Sequence, residues 1–231
     1  MVFPHGAVLT DRREKSTPPV LSTHWLGLQN YQAALKIQLQ HHRNLVEGSG
    51  GQTLLLVEHE PVYTFGKRGG EQFLLRSRDE LTAMGAELVA TDRGGLVTFH
   101  GPGQLVAYPI IRLRALNLNL TTYITRLVEA VAVALKSCGV LATTRMDQPG
   151  IYVENRKIGA VGVRYRDGVT YHGCAVNLNP DLLWFDNIVS CGLSGVKTTS
   201  VLAETGSAPD MREFGDDLAL EVARTLGLKS L

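Results

Sequence analysis

The sequence predicts an α+β fold, a mixed or antiparallel sheet flanked by helices. Strand-like runs come in consecutive groups separated by helices, without the one-for-one alternation of a doubly wound parallel sheet. Three segments place apolar residues at the 3.6-residue period of a helix packed by one face. The 231 residues, 44% of them hydrophobic, suffice for one sizeable core. No repeat or low-complexity linker divides the chain, so a single domain is expected over 20–231. The first 19 residues are expected to be a disordered or targeting tail; Arg12, Arg13 and Lys15 suit targeting, whereas Asp11 and Glu14 do not.

Tyr31, Ala34, Leu35, Gln38 or Leu39, and Leu45 share one face, predicting a helix over roughly 29–47 that ends at Gly48–Gly51. Thr53–Val57 and Val62–Phe65 are short apolar runs with strand character. Ser77 with Glu80 three residues on forms a capping box for a short helix stopped by Gly85. Extended segments follow at Glu87–Thr91, Leu96–Phe99 and Gln104–Leu113. Ile124, Leu127, Val128, Val131, Ala134 and Leu135 form the stripe of a helix over about 122–137, with Gly139 beyond its end. Strands are expected at Ile151–Val153, Ile158–Tyr165 and Val169–Leu178, with Asp167–Gly168 as a hairpin turn. The last helix opens at Asp210, with Glu213 as its box partner, and buries Met211, Phe214, Leu218, Val222 and Leu226.

A formal charge of +1 sets up no strong field toward nucleic acid or a membrane surface, and neither is expected as a partner. No apolar run approaches the roughly 18 residues of a membrane span. Cys138, Cys174 and Cys191 are odd in number and lack CxxC spacing, which fits a reducing compartment better than a disulfide framework. No secretory n-region and h-region open the chain.

Two segments depart from ordinary core composition. The first, 93–104, reads RGGLVTFHGPGQ; four glycines and a proline rule out a regular helix, and extended runs flank it. It is either a ligand-approaching loop with Arg93, Thr98, His100 and Gln104 as its polar groups, or a pair of tight turns with no ligand. The sequence matches neither GxxxxGK[ST] nor GxGxxG, so the phosphate-loop and dinucleotide fingerprints fail. The second, 188–195, reads IVSCGLSG and sets Cys191 on a glycine-flanked loop. A thiol is mostly protonated at neutral pH unless a cation stands nearby. Lys157, opening a strand in RKIGAVG, is the candidate, although a lysine read alone is more often solvated. The small residues after it suit a strand against which a ligand chain lies.

Cys138 and Cys174 read as packing residues. His100, His172, Cys174 and Cys191 match no metal-site spacing, so no metal and no other cofactor is expected. His41, His42 and His59 read as surface or turn residues.

Together these stretches resemble the lipoyl(octanoyl) transferase family. RGGLVTFHGPGQLVAYPI at 93–110, GIYVENRKIGAVGVR at 150–164, YHGCAVNLNPDL at 171–182 and the Ile188–Gly192 loop carry the resemblance. It implies the catalytic fold shared with biotin and lipoate protein ligases. It implies transfer of octanoyl from octanoyl-acyl carrier protein to a lysine on lipoyl domains of 2-oxoacid dehydrogenase E2 subunits and of the glycine cleavage H protein, without ATP or metal. Cys191 is then the acyl-thioester nucleophile and Lys157 the group that lowers its pKa and shuttles protons. The acyl and pantetheine site would be shaped by Arg93, Gly94, Gly95, Leu96, Val97, Thr98, Phe99 and His100, and lined by Ala160, Val161, Gly162, Gly173, Cys174 and Ala175. Three positions depart from the family pattern: Ser190 stands where proline is common, Phe99 replaces tyrosine, and Cys174 replaces leucine, which raises the question of pocket volume. The TFHGPGQ form and the approach to Cys191 lean toward mitochondrial members, hence the matrix, with the cytoplasm as the bacterial alternative. A monomer is expected. The rival readings are an ATP-dependent lipoate-protein ligase and a non-catalytic acyl- or lipoyl-domain-binding module.

Overall fold

The computed structural model describes residues 18–145, 150–189 and 196–230. In chain order these form β1 (Val20–Gln29), α1 (Tyr31–Glu47), β2 (Gln52–His59), β3 (Val62–Phe65), α2 (Arg78–Ala83), β4 (Glu87–Ala90), β5 (Val97–His100), β6 (Gln104–Ile110) and α3 (Leu120–Ser137). β7 (Thr143–Arg145), β8 (Gly150–Val153), β9 (Arg156–Arg166), β10 (Val169–Asn177), α4 (Val201–Thr205), α5 (Met211–Leu226) and β11 (Lys229–Ser230) complete the series.

The helix boundaries follow from local chemistry. The Asn30 side chain accepts from the Gln32 amide at the start of α1, and Gly48 ends it at φ 79°. Ser77 and Glu80 form the full reciprocal box at α2. Asn119 caps α3, so that helix starts two residues before the predicted 122. Asp210 accepts from the Arg212 and Glu213 amides at α5, half of the box expected there. Asp167 and Gly168 both have positive φ, 52° and 80°, as a two-residue turn joining right-twisted antiparallel strands requires.

The sheet is mixed, as predicted. Among the described residues eight strands pair in the order β11-β1-β2-β6-β10-β9-β8-β7, and β4-β3-β5 form a second sheet. β1 runs parallel to β2 and β11, whereas the β2-β6-β10-β9-β8-β7 pairings are antiparallel. β1 escapes a reading by periodicity because Ser22, Thr23 and His24 break its alternation and its register to β2 shifts between Trp25 and Leu28. β6 stops at Ile110, short of the predicted Leu113, which opens a 3-10 turn.

Strand alternation sorts side chains to two faces. Leu54, Leu56, Leu105, Ala107, Cys174 and Val176 meet α3 and α5 in the larger core. Leu55, Val57, Val106, Tyr108, Tyr171 and Ala175 face α1. The small sheet packs its own cluster, Tyr63, Phe65, Val97 and Phe99, against Phe185 and Ile188. The candidate site lies on the α1 face, between the large sheet and β5.

Candidate active site

The glycine loop is held from inside by one side chain. Arg93, 8% exposed, donates from Nε and Nη2 to Thr64 Oγ1 at 3.1 and 2.9 Å, and from Nη2 to the Thr64 and Leu96 carbonyls at 2.5 and 2.7 Å. Its Nη1 donates to the Gly94 carbonyl at 2.9 Å. The Gly94 amide meets the Val163 carbonyl at 3.1 Å, laying the loop across β9. Glycine is required opposite this contact: a Cβ on Gly162 would stand 2.8 Å from the Gly94 carbonyl oxygen. At the turn between β5 and β6, Gly103 has φ 85° and presses on the Asn179–Pro180 backbone, so the HGPGQ glycines serve the turn.

Between this loop and the sheet runs a cleft of about 480 Å³, counted to its open mouth. Of the predicted residues, Arg93, Gly95, Leu96, Val97, Thr98, His100, Ala160, Val161, Gly162, Gly173, Cys174 and Ala175 border it. Gly94 and Phe99 do not. Gly94 is spent on the contacts just described, and the Phe99 ring stacks on Trp184 at 5.1 Å and 3°. Cys174 reaches the cleft only where β10 borders it. Its side chain belongs to the core with α3 and α5, burial pushes its thiol up to about 12, and the leucine-to-cysteine departure therefore bears on that core.

A second cavity of about 300 Å³ is lined by Lys157, Asn177, Phe185 and Thr198, and shares Thr98 and Ala160 with the first. Lys157 is 6% exposed, not the solvated lysine of a bare sequence reading, and its Nζ lies 5.9 Å from the Tyr152 ring centroid. Cys191 and Ser190 fall outside the described residues, but the chain on either side of 190–195 is tied. On one side the Val189 amide donates to the Phe73 carbonyl and Leu75 to Asn187 O, each at 2.8 Å. On the other, the Lys157 amide donates to Lys197 O at 2.8 Å and its carbonyl accepts from the Thr199 amide at 2.9 Å. Asn177 Nδ2 donates to the Thr199 carbonyl at 2.9 Å and Asn177 Oδ1 accepts from Gln104 Nε2 at 2.9 Å; Gln104 Oε1 in turn meets His100 Nδ1 at 2.7 Å. A hydrogen-bonded line thus joins the cleft wall to the segment after the cysteine loop.

The histidines correct the sequence reading most. His42 is 2% exposed and bonded to the Arg166 carbonyl. His59 is fully buried, 3.1 Å from Gln29 O and 2.7 Å from the Tyr108 hydroxyl. Tyr31, Tyr108 and His172 border the cleft although periodicity marks Tyr31 only as a packing residue. His172, at φ 54° in mid-strand, donates from Nε2 to Asp92 Oδ1 at 2.9 Å. That bond, with those from Tyr171 and the Arg164 charge, holds the Asp92 carboxyl well below the usual range, while burial lowers the His172 pKa, so the pair is carboxylate and neutral imidazole. Among the described residues, no group of three or more His, Cys, Asp or Glu could hold a metal ion.

Burial lowers the His59 pKa to about 4 and the His100 pKa to about 3. Unfolded, both would take a proton near the ordinary histidine pKa of 6.5, so below that pH the unfolded chain binds more protons and stability falls. The contribution is complete above pH 6.5 and is lost as pH drops toward about 4. The urea midpoint is expected to be lower at pH 5 than at pH 7, and His59→Gln should shrink the difference. Equal midpoints at the two pH values would mean these imidazoles are not held neutral.

Residues 30–223 match the family model described as Lipoyl protein ligase A/B catalytic domain. The octanoyltransferase of Chloroflexus aurantiacus is 40% identical over 212 residues, 90% of this chain and 95% of that protein. The chain belongs to the octanoyltransferase family. A mitochondrial member, the octanoyl-acyl-carrier-protein:protein N-octanoyltransferase of Danio rerio, is 43% identical over 181 residues, 78% of this chain and 80% of that one. Octanoyltransferases of bacteria and mitochondria thus stand at similar identity to this chain. The fold extends further: the bi-partite lipoate protein ligase of Thermoplasma acidophilum superposes with a TM-score of 0.70 over 93% of this chain and 86% of its own, at 14% identity.

Proposed function

We propose that this octanoyltransferase takes octanoyl from octanoyl-acyl carrier protein and delivers it to a lysine of a lipoyl domain through a thioester on Cys191. One observation carries the mechanism: the backbone of buried Lys157 pairs on both sides with residues 197–199, next to the Cys191 loop, where two adjoining cavities share Thr98 and Ala160.

In the first half-reaction Lys157 takes the Cys191 proton and the thiolate attacks the donor carbonyl. The carrier thiolate leaves and takes the proton back from Lys157. In the second, the acceptor amine attacks the Cys191 thioester, loses a proton through Lys157, and the Cys191 thiolate leaves to be reprotonated. The small faces of Ala160, Gly162, Gly173 and Ala175 receive the chain, and closure by the Arg93-held loop keeps water from the thioester. Because the donor is already activated, neither ATP nor a metal enters the scheme. The E2 subunits of 2-oxoacid dehydrogenases and the glycine cleavage H protein are the acceptors of this reading. The mitochondrial matrix is its compartment, supported by the Danio rerio relative, with the bacterial cytoplasm as the alternative.

Intact-protein mass spectrometry after incubation with octanoyl-acyl carrier protein, without ATP, tests it. A hydroxylamine-labile octanoyl adduct on Cys191, absent in Cys191→Ala, is the expected result. Octanoyl transfer by Cys191→Ala at the native rate would remove the thioester from the mechanism.

A further inference from the structure

The acyl cleft has two unlike ends. At one it adjoins the cavity of Lys157, with Thr98 and Ala160 common to both. At the other the glycine loop comes down on β9. There the Gly94 amide bonds the Val163 carbonyl at 3.1 Å, and a Cβ on Gly162 would stand 2.8 Å from the Gly94 oxygen. From Ala160 to Val163 the strand advances three residues, roughly 10 Å, a span that an extended eight-carbon chain fills.

His172 sits opposite this closure. In the register of β9 with β10 it pairs with Val163, and Gly173 pairs with Gly162. Successive strand side chains ordinarily point to opposite faces, yet Tyr171 and His172 reach the same carboxylate. The Tyr171 hydroxyl donates to Asp92 Oδ2, and His172 Nε2 donates to Asp92 Oδ1 at 2.9 Å. The φ of 54° at His172 breaks the alternation, and few residues other than glycine adopt it. Gln38 Oε1, from α1, holds the His172 amide in this conformation at 3.0 Å. Asp92 immediately precedes Arg93, so the imidazole reaches from the sheet to the base of the glycine loop. The residue is 1% exposed and borders the cleft, and its ring lies 6.4 Å from that of Tyr108, another lining residue. Nδ1 has no hydrogen-bond partner among the described residues, so the bond to Asp92 is the one that orients the ring. The transfer scheme gives this imidazole no proton to carry.

The geometry points to His172 as the inner wall of the acyl cleft: its imidazole, braced by Asp92, stops the acyl chain at octanoyl. The assignment rests on the transfer reaction proposed above and adds to it the residue that selects the acyl group. A longer chain meets the ring on one side and the Gly94 backbone on the other. Neither moves without breaking the Asp92 bond or the Gly94–Val163 bond.

His172→Gly removes the wall and suits its backbone, because glycine adopts positive φ freely. The native chain and the variant are compared in the rate of acyl-enzyme formation from octanoyl-, decanoyl- and dodecanoyl-acyl carrier protein, read by intact-protein mass spectrometry. The native chain should favour octanoyl over dodecanoyl, and His172→Gly should raise the dodecanoyl-to-octanoyl rate ratio about tenfold or more. His172→Asn, whose shorter side chain also tolerates this φ, should raise the ratio less, and it carries the test if His172→Gly does not fold. Tyr171→Phe removes the other bond to Asp92 and leaves the ring in place, so its ratio should stay within about twofold of native. Three results would overturn the assignment and leave the reaction standing: native acylation as fast with dodecanoyl as with octanoyl, an unchanged ratio in the folded His172 variants, or an equal rise in Tyr171→Phe. Failure of the native chain to form any acyl adduct would instead remove the reaction, and the assignment with it.

Discussion

Replacing Lys157 by methionine is expected to lower kcat by roughly 10²–10⁴-fold, the usual worth of a positioned proton-transfer group, while the chain stays folded. Folding survives because the bonds that tie residues 197–199 to this position come from the Lys157 backbone, and methionine keeps an unbranched stem beside Tyr152. Only the ammonium is removed. The same change should move the pH profile of Cys191 alkylation upward, since a thiol without a neighbouring cation returns toward its ordinary pKa of about 8.5. Alkylation kinetics across pH 6 to 10 give the readout. A kcat loss with an unmoved alkylation profile would limit Lys157 to later proton transfers, and no kcat loss would exclude it from the chemistry.

The second large effect falls on stability. Arg93→Met should cost about 2–5 kcal/mol, because it removes the bonds to two buried acceptors of Thr64 at roughly 1–3 kcal/mol each. The Thr64 carbonyl and hydroxyl both receive bonds from this guanidinium, whereas the Leu96 carbonyl keeps a second bond from the Gly66 amide at 3.2 Å. Lysine is not expected to rescue it, since one ammonium cannot reproduce a planar fork that addresses the Thr64 side and the Leu96–Gly94 side together. Urea unfolding at pH 7 measures the loss. A fall below about 1 kcal/mol would mean that the Gly94–Val163 bond and the turn at Gly103 hold the loop unaided.

Where sequence and structure diverge, range is the reason. The helix over 29–47 was readable because its apolar stripe and its Gly48–Gly51 stop act within a turn of the residues they control; the Asn30 cap came with the structure. The glycine loop was readable as an anomaly of composition, and its role as a cleft wall came only with the family resemblance. His59 gave no such signal: it follows a buried strand and precedes Pro61, a context equally typical of a solvated turn. Its burial is decided by Tyr108, 49 residues away. The same holds for Cys174, which reads alone as a packing residue and which the resemblance sets at the acyl site: strand alternation puts its side chain in the core with α3 and α5 while β10 borders the cleft.

The sequence by itself determined the α+β class, most helix boundaries, the Asp167–Gly168 hairpin and, through its motifs, the family membership. These depend on periodicity, capping and turn chemistry, which act over a few residues, or on motifs that survive as contiguous strings. Only the tertiary structure decided that Arg93 holds Thr64 from 29 residues away, that Asn177 reaches Thr199 across 22, and that Lys157 is buried against the segment following the cysteine loop. Each of those contacts exists because two distant segments exclude water from the same small volume, and that exclusion has no period along the chain.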